Sequence, residues 1–268
     1  MKKQLLILGT LLLLVIAISC NKDDNNSSNG LIPETNRPIW VSEITEPGQY
    51  ENYRTEYDYK RINQKIFLSG LTCYKNNSQL LNCKFTYDSQ NRLTEVRSFL
   101  PNGEILTDDD YTHDMEIFEC IGLNTTISYT DNQAIVRYNG YTYTYTLNAE
   151  GYATKFEYID ENELIIEEYK WSNHNITEIT HKNETRLPII ETIEYDNKNS
   201  IDYIYKLLPF ICSKNNLINE SWSDDDEQVS NDRGMEYNEY GYPTKITWYD
   251  EYAAFPEYIK YIDAKDIK

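Results

Sequence analysis

Short runs of alternating apolar and polar residues fill the middle of the chain and predict antiparallel β-strands. Residues 134–138 (AIVRY) and 141–145 (YTYTY) are separated only by Asn139-Gly140, a pair that favours the positive φ angles of a tight hairpin turn. Further alternating runs follow, each after a short polar turn, at 154–159, 164–171, 176–181 and 187–195. Short strands joined by short turns predict an up-and-down meander.

A degenerate turn unit recurs between these predicted strands, at residues 87–96, 147–156 and 237–246, with a shortened copy at 171–179. Each full copy has an Asp or Asn whose side chain can close a turn, followed by a Gly or Asn suited to positive φ. A Thr–charged–apolar strand start comes next. The unit encodes a hairpin, and no ligand is needed to explain it.

Residues 200–208 break the alternation. Apolar residues there follow helical spacing, Ser200 is placed as an N-cap, and Pro209 ends the run, so the pattern predicts one short helix packed on the sheet. The fold class is therefore predicted as all-β: a large curved antiparallel meander or a partly closed soluble barrel, with one short helix near 200–208.

The turn units resemble the tyrosine–aspartate repeats of RHS-type shell proteins, although the copies are few and irregularly spaced. The order of motifs over roughly residues 80–250 is similar to that of an uncharacterised family of Bacteroidota-type lipoproteins, a domain of unknown function with a porin-like β fold. The motifs are GYATK at 151–155, Trp171 with Asn175-Ile176, Tyr195-Asp196, SKNNL at 213–217 and GYPTK at 241–245. The resemblance implies a large curved sheet or partly closed barrel and brings no catalytic residues.

The first residues of the chain have the parts of an export signal. Two lysines precede an apolar stretch at 5–18, and small residues come immediately before Cys20. The tetrad Ala17–Cys20 resembles the lipobox of bacterial lipoproteins, in which cleavage before the cysteine frees it for acylation. We expect residues 1–19 to be a signal peptide and Cys20 to be the lipid attachment site. The alternatives are an ordinary secretory signal and a membrane helix, which needs about 20 apolar residues.

The segment after Cys20 is polar and predicts a tether. Asn21, Lys22, Asp23 and Asp24 resemble the acidic export signal that sends lipoproteins of Bacteroidota-type bacteria to the outer face of the outer membrane. Residues 20–38 have too little apolar surface to fold, and residues 39–268 show no comparable break, so we expect a single β domain. The predicted location is the outer membrane, with the cell surface favoured over the periplasmic face.

The charge of the chain restricts its partners. The formal net charge is −19, and removal of Lys2 and Lys3 with the signal peptide changes it by −2, to −21. Such a protein is a poor candidate for nucleic-acid binding, which needs clustered Lys and Arg. Anionic lipid headgroups would also repel it, so the acyl chains alone are expected to attach it to the membrane. The 25 tyrosines favour strands.

Four cysteines remain after Cys20, and an exported protein can form disulfides. Cys73 and Cys83 flank a predicted hairpin turn and are candidates for a cross-strand disulfide, while small buried thiols are the alternative reading. The spacing of the three histidines, His113, His174 and His181, does not match a zinc site. We expect no metal and no cofactor.

Two acidic runs, Asp108–Asp110 and Asp224–Glu227, lack the alternating spacing of a calcium loop and are expected to be solvated. A transmembrane barrel is disfavoured because Thr154–Tyr158 alternates charged with aromatic residues, as in a sheet with one wet face. No G-x-S-x-G elbow is present.

Two functions are compatible with the sequence. The first is binding of a glycan, peptide or envelope partner by exposed Tyr and Trp rings. The second is hydrolysis of an envelope or extracellular polysaccharide, which requires two carboxylates facing each other, at least one with a raised pKa. The first is favoured, so we do not expect the protein to be an enzyme.

Overall fold

The structure is a computed structural model that describes residues 39–48, 51–107, 124–138, 140–160, 162–200, 210, 213–224, 227–249 and 254–268. Sixteen antiparallel strands follow one another around a closed barrel. The strands are β1 Ile39–Pro47, β2 Asn52–Ile62, β3 Lys65–Lys75, β4 Ser78–Tyr87, β5 Leu93–Phe99, β6 Thr125–Tyr129, β7 Gln133–Tyr138, β8 Tyr141–Leu147, β9 Ala153–Asp160, β10 Glu163–Ser172, β11 Asn175–Lys182, β12 Ile189–Asn199, β13 Asn215–Asp224, β14 Glu227–Tyr237, β15 Pro243–Tyr249 and β16 Ala254–Asp263.

The predicted all-β meander is confirmed, and the sheet closes completely. Strand β16 pairs with β1, from Ile39 opposite Asp263 to Thr45 opposite Tyr258. The hairpin predicted at Asn139-Gly140 is present as β7 and β8, with Gly140 at φ +80°. Closure leaves no free sheet edge between the first and last strands, and exposed edges are where sheets aggregate.

The helix predicted near 200–208 falls outside the described residues, apart from Ser200, which is buried. The described helical element is a 3-10 turn at Ala264–Asp266, where the Asp263 carboxylate accepts a hydrogen bond from the Lys265 backbone N–H at 2.9 Å. No helical segment among the described residues is long and apolar enough to cross a bilayer.

The recurring turn unit forms the same hairpin at the β4–β5, β8–β9 and β14–β15 connections. In each copy one side-chain oxygen accepts two backbone N–H bonds, and a later residue has positive φ. The acceptors are Asp88 (from Gln90 and Arg92), Asn148 (from Glu150 and Tyr152) and Asn238 (from Tyr240 and Tyr242), at 2.8–3.0 Å. Because Asn91, Gly151 and Gly241 have φ of +64°, +88° and +77°, Asn or Gly is favoured there.

The inner wall of the barrel forms one hydrophobic core to which most strands contribute. Phe156, Ile176, Ile179 and Val96 are fully buried. Around Phe156 the rings of Tyr143, Tyr145 and Tyr158 lie with centroids 4.8–5.8 Å away. The tyrosine bias of the sequence is thus largely explained by rings that fill a wide barrel.

The outer wall carries charged and hydroxyl side chains. Lys170 and Glu178 lie directly opposite each other on neighbouring strands, project outward and form an ion pair. Similar surface ion pairs are Lys155–Glu157, Arg97–Glu95, Lys182–Glu168, Lys245–Glu236 and Lys260–Glu43. A transmembrane barrel has the reverse polarity, with an apolar band outside and polar residues inside. The alternation predicted for the strands is therefore seen as a charged outer face and a largely apolar inner face.

Residues near the C-terminus cover one end of the barrel. We call the end where β1 begins and β16 ends the proximal end, and the other the distal end. At the proximal end Ile267 packs with Trp40 and Ile66. The Arg61 backbone N–H and guanidinium donate hydrogen bonds to the carbonyls of Lys268 and Ala264, at 3.0 and 2.6 Å. The C-terminal turn is thereby attached to the first turns of the barrel.

Candidate functional site

The residues predicted for lipid attachment and export lie outside the described residues. These are Cys20 and the segment Asn21, Lys22, Asp23 and Asp24. Asp108–Asp110, His113, Cys120 and Cys212 also lie outside them. Their roles stay predictions.

The predicted Cys73–Cys83 disulfide is absent from the structure. Both cysteines are buried free thiols on the inner wall. The register of β3 and β4 sets Cys73 opposite Leu81 and Cys83 opposite Leu71, so the two cysteines are diagonal neighbours rather than direct partners. Burial raises the pKa of both thiols, that of Cys83 to about 11, which keeps them protonated and unreactive at neutral pH.

The second acidic run forms the β13–β14 connection, where Asp224 is opposite Glu227. Its two central residues lie outside the described residues. Within the ranges that the structure describes, no three His, Cys, Asp or Glu side chains are grouped so as to hold a metal ion.

A polar cluster that the sequence analysis did not identify lies on the inner wall, between the middle of the barrel and its distal end. Ionisable groups are rarely buried unless they are paired, because their desolvation is costly. A buried set of this kind is a candidate functional site. We call it the inner-wall network; its members are Glu167, Tyr169, His181, Glu191, Glu220, Asn231 and Arg233.

His181 joins two carboxylates of this network. It is directly opposite Glu167 on the neighbouring strand, with Nδ1 3.4 Å from Glu167 Oε1 and Nε2 3.1 Å from Glu191 Oε2. The Tyr169 hydroxyl donates a further hydrogen bond to Glu167 at 2.7 Å. Both carboxylates are almost completely buried, so the imidazole and, for Glu167, the Tyr169 hydroxyl offset part of the desolvation cost.

Arg233 holds the other half of the network. Its guanidinium Nη2 lies 3.1 Å from Glu220 Oε2, and both side chains are only 4% exposed. Asn231 donates a hydrogen bond to the second Glu220 oxygen at 3.0 Å. The guanidinium also lies 3.9 Å from the ring centroid of Trp248, a cation–π geometry that favours a desolvated charge.

Two more carboxyl groups, Glu46 and Glu257, lie side by side near the network. Thr45 is opposite Tyr258, so the next residue in the register places Glu46 opposite Glu257. The Trp248 indole N–H donates a hydrogen bond to Glu257 Oε1 at 2.5 Å. Burial, and then the neighbouring Glu46 carboxylate, raise the pKa of Glu257 to about 8. Burial also raises the pKa of Glu46. The pair therefore retains a proton near neutral pH.

The pair meets only part of what hydrolysis requires. Glycoside hydrolysis places an acid and a second carboxylate on the two sides of the scissile bond. Glu46 and Glu257 have raised pKa values, but they project from adjacent strands of one wall, with Cβ atoms about 5 Å apart by strand geometry. The arrangement is suited to sharing a proton or to hydrogen-bonding one polar group.

The binding hypothesis depends on exposed aromatic rings. In the structure, aromatic rings lie both inside the barrel and on its outer surface. Most Tyr and Trp rings pack on the inner wall. The large aromatic side chains that are clearly exposed are Tyr141, Tyr240, Tyr249, Phe255 and Tyr258, at 41–52%. Tyr249 and Tyr258 project outward from β15 and β16, so an exposed aromatic surface exists, but on the outer wall.

One sequence signal could have indicated the inner-wall network. In β10 the positions that share the inner face are Ile165, Glu167, Tyr169 and Trp171. Glu167 is therefore an acidic residue in phase with apolar ones, where alternation predicts an apolar side chain. Which strands place such residues next to one another depends on the register, which the pattern does not specify.

The comparisons with known proteins identify no family. No protein-family model matches the chain, and no curated protein matches it in sequence. The crystal structure of a porin-like protein from Bacteroides uniformis has 14% identity and a TM-score of 0.39, over 83% of this chain and 97% of that one. A porin-like protein from Bacteroides vulgatus has 10% identity and a TM-score of 0.38, over 82% and 98%. The TcdB2-TccC3-Cdc42 structure has 10% identity and a TM-score of 0.32, over 80% of this chain and 14% of that one. The resemblances to a lipoprotein family and to tyrosine–aspartate repeats stay predictions.

We expect His181 to titrate far above its ordinary range. Desolvation lowers its pKa, but hydrogen bonds to Glu167 and Glu191 outweigh this and raise it from 6.5 to about 9. Since the folded state binds this proton more tightly than the unfolded chain, the stabilisation is complete below pH 6.5 and is lost as the pH rises through about 9. NMR titration of the imidazole measures the pKa directly. Glu191→Gln should lower it, and titration of the unmodified protein near 6.5 would contradict the assigned ion pairs.

Proposed function

We propose that the chain is a lipid-anchored protein of the bacterial outer membrane, presented at the cell surface, whose barrel remains outside the bilayer and binds a glycan, peptide or envelope partner. The observation that carries this proposal is the polarity of the two walls. Apart from the inner-wall network and the Glu46–Glu257 pair, inward-facing side chains are mostly apolar, whereas Lys, Glu and Thr side chains face outward.

Such a barrel needs a separate means of attachment to the membrane. A Lys or Arg on the lipid-facing surface of a barrel costs about 2–4 kcal/mol at the bilayer midplane. This outer wall carries several, including Lys155 and Lys170. The lipobox-like sequence before Cys20 supports an acylated cysteine in that role, since several acyl chains anchor a protein stably.

The packed interior argues against a channel through the barrel and leaves the outside of the barrel for binding. A channel requires a polar, water-filled lumen, whereas Phe156, Ile176 and Ile179 are fully buried parts of one core. The available surfaces are then the outer wall and the distal end, where exposed rings occur. Tyr rings suit binding because they combine an apolar face with a polar tip.

Replacing Cys20 with alanine tests the anchor. We expect the protein to move from the membrane fraction to the soluble fraction of the envelope, because the acyl chains are its only proposed attachment. Membrane fractionation followed by immunoblotting measures the shift, and Cys73→Ala, which removes a buried thiol, is the matched control. Labelling of intact cells with an antibody tests presentation at the surface. Retention of the Cys20→Ala variant in membranes would contradict lipid anchoring.

A polysaccharide hydrolase is the second candidate, and the observation that favours it is the raised pKa of Glu257 beside Glu46. Release of reducing ends from a polysaccharide, abolished by Glu257→Gln, would favour hydrolysis over binding. The position of both carboxyl groups on one wall is the reason why binding is the leading proposal.

A further inference from the structure

Tyrosine and basic side chains form a line across the outer wall, perpendicular to the strands. Lys245 is opposite Tyr258, which is opposite Thr45, and Thr45 is opposite Arg54. Arg54 is in turn opposite Tyr74. Directly opposed residues project from the same face of a sheet, so these side chains share the outer surface. We call the set, with Tyr249, the outer tyrosine row: Tyr249, Lys245, Tyr258, Thr45, Arg54 and Tyr74.

A glycine in the middle of β14 allows the ring of Tyr249 to lie against the sheet. A Cβ atom added at Gly234 would lie 2.8 Å from the Tyr249 hydroxyl oxygen and 3.2 Å from Cε2. Glycine inside a strand is unfavourable and often marks such a close approach. The Tyr249 ring therefore covers Gly234 while its residue stays 49% exposed, and Tyr258 is 46% exposed.

The charges along the row are already paired. Lys245 Nζ lies 3.1 Å from Glu236 Oε1. Arg54 lies 3.6 Å from Glu43, and its guanidinium is 4.2 Å from the centre of the Tyr74 ring. A charged ligand would have to break these pairs, so the row favours a neutral one.

We propose that the outer tyrosine row is a binding surface for a neutral, linear polysaccharide. Sugar rings have apolar C–H faces that pack on flat aromatic rings, and their hydroxyl groups exchange hydrogen bonds with side chains such as Lys245 and Glu236. Tyr258 projects from β16 level with Glu236 of β14, whereas the Tyr249 ring covers Gly234, two residues further along β14. Two strand spacings and two residue rises separate the rings by about 12 Å. Rings at this separation can contact sugars that are not adjacent in one chain.

The surroundings of the rings distinguish this ligand from a protein partner. The centre of a protein–protein interface is depleted of charged residues and closely packed. Here the outward positions around the rings are Thr45, Thr247, Lys245 and Glu236, together with the small apolar residues Ala254 and Pro256, so charged and hydroxyl groups lie directly beside the rings. The inference names a ligand class for the proposed binding function, but it does not depend on the lipid anchor, because binding in solution requires only the outer wall.

The test is titration of the purified full chain, extracted in detergent, with neutral linear hexasaccharides of β-linked glucose, mannose and xylose and of α-linked glucose. We expect at least one to bind and the double variant Tyr249→Ala/Tyr258→Ala to weaken that binding about tenfold, since both flat ring faces are removed. Tyr249→Phe/Tyr258→Phe keeps the rings and should bind nearly as well.

Tyr240→Ala is the matched control, because Tyr240 is equally exposed, at 49%, but lies in the turn between β14 and β15. Circular dichroism checks that every variant is folded. The proposal is overturned if no hexasaccharide binds the unmodified protein, if the double alanine variant binds equally well, or if Tyr240→Ala weakens binding as much. Failure of Cys20→Ala to leave the membrane would instead contradict the anchor and leave this result unaffected.

Discussion

Arg233→Met is expected to lower the free energy of unfolding by about 3–5 kcal/mol, the usual effect of removing one partner of a buried ion pair. The substitution leaves the Glu220 carboxylate buried, with Asn231 as the hydrogen-bond donor assigned to its other oxygen. It also removes the guanidinium from the face of Trp248. Urea unfolding followed by circular dichroism measures the change.

The double variant Arg233→Met/Glu220→Gln should recover part of this loss, because no uncompensated charge then stays buried. The control is Arg97→Met on the outer wall, where the side chains of the Arg97–Glu95 pair are 54% and 29% exposed. Exposed pairs contribute about 0–1 kcal/mol. Equal effects at Arg233 and Arg97 would show that the inner wall is hydrated and that the Arg233 pair is not buried.

Phe156→Ala is expected to lower the free energy of unfolding by about 3–5 kcal/mol, as is typical of deleting a buried aromatic ring. Phe156 is fully buried and stacks on Tyr143 with an interplanar angle of 10°. The cavity would remove the surface against which Tyr145 and Tyr158 also pack. Chemical or thermal unfolding measures this effect.

Ile159→Ala is the matched control for Phe156→Ala, since Ile159 lies on the same strand and is 63% exposed. It should change stability by less than about 0.5 kcal/mol, as for other surface substitutions. If Phe156→Ala were as mild as Ile159→Ala, the interior of the barrel would not be a packed core. That result would instead indicate a water-filled lumen.

The stability and binding experiments address different parts of the molecule. The inner-wall network has partners for its carboxylates, such as His181 for Glu191 and Arg233 for Glu220, so its loss should be seen first in stability and pH dependence. The outer tyrosine row is exposed and its charges are paired, so its alanine variants should be seen in binding alone. This separation allows a folding defect to be distinguished from a lost ligand.

Local features of the fold could be predicted from the sequence because they depend on neighbouring residues. Period-two alternation identified strands such as β7 and β8. The Asn139-Gly140 pair identified their turn. The side chains of Asp88, Asn148 and Asn238 close their hairpins by accepting backbone N–H groups from within four residues, so the turn unit needs no distant partner.

The tertiary structure alone decided the features that depend on register and closure. The pairing of β1 with β16 joins residues more than 200 positions apart, and it sets Glu46 beside Glu257. The offset of β3 against β4 makes Cys73 and Cys83 diagonal neighbours. Among 44 acidic residues, only the strand order brings Glu167, Glu191 and Glu220 to one wall. Alternation determines the face of the sheet from which a side chain projects, whereas register determines which side chains are neighbours. The energetic cost of burying a charged group depends on both.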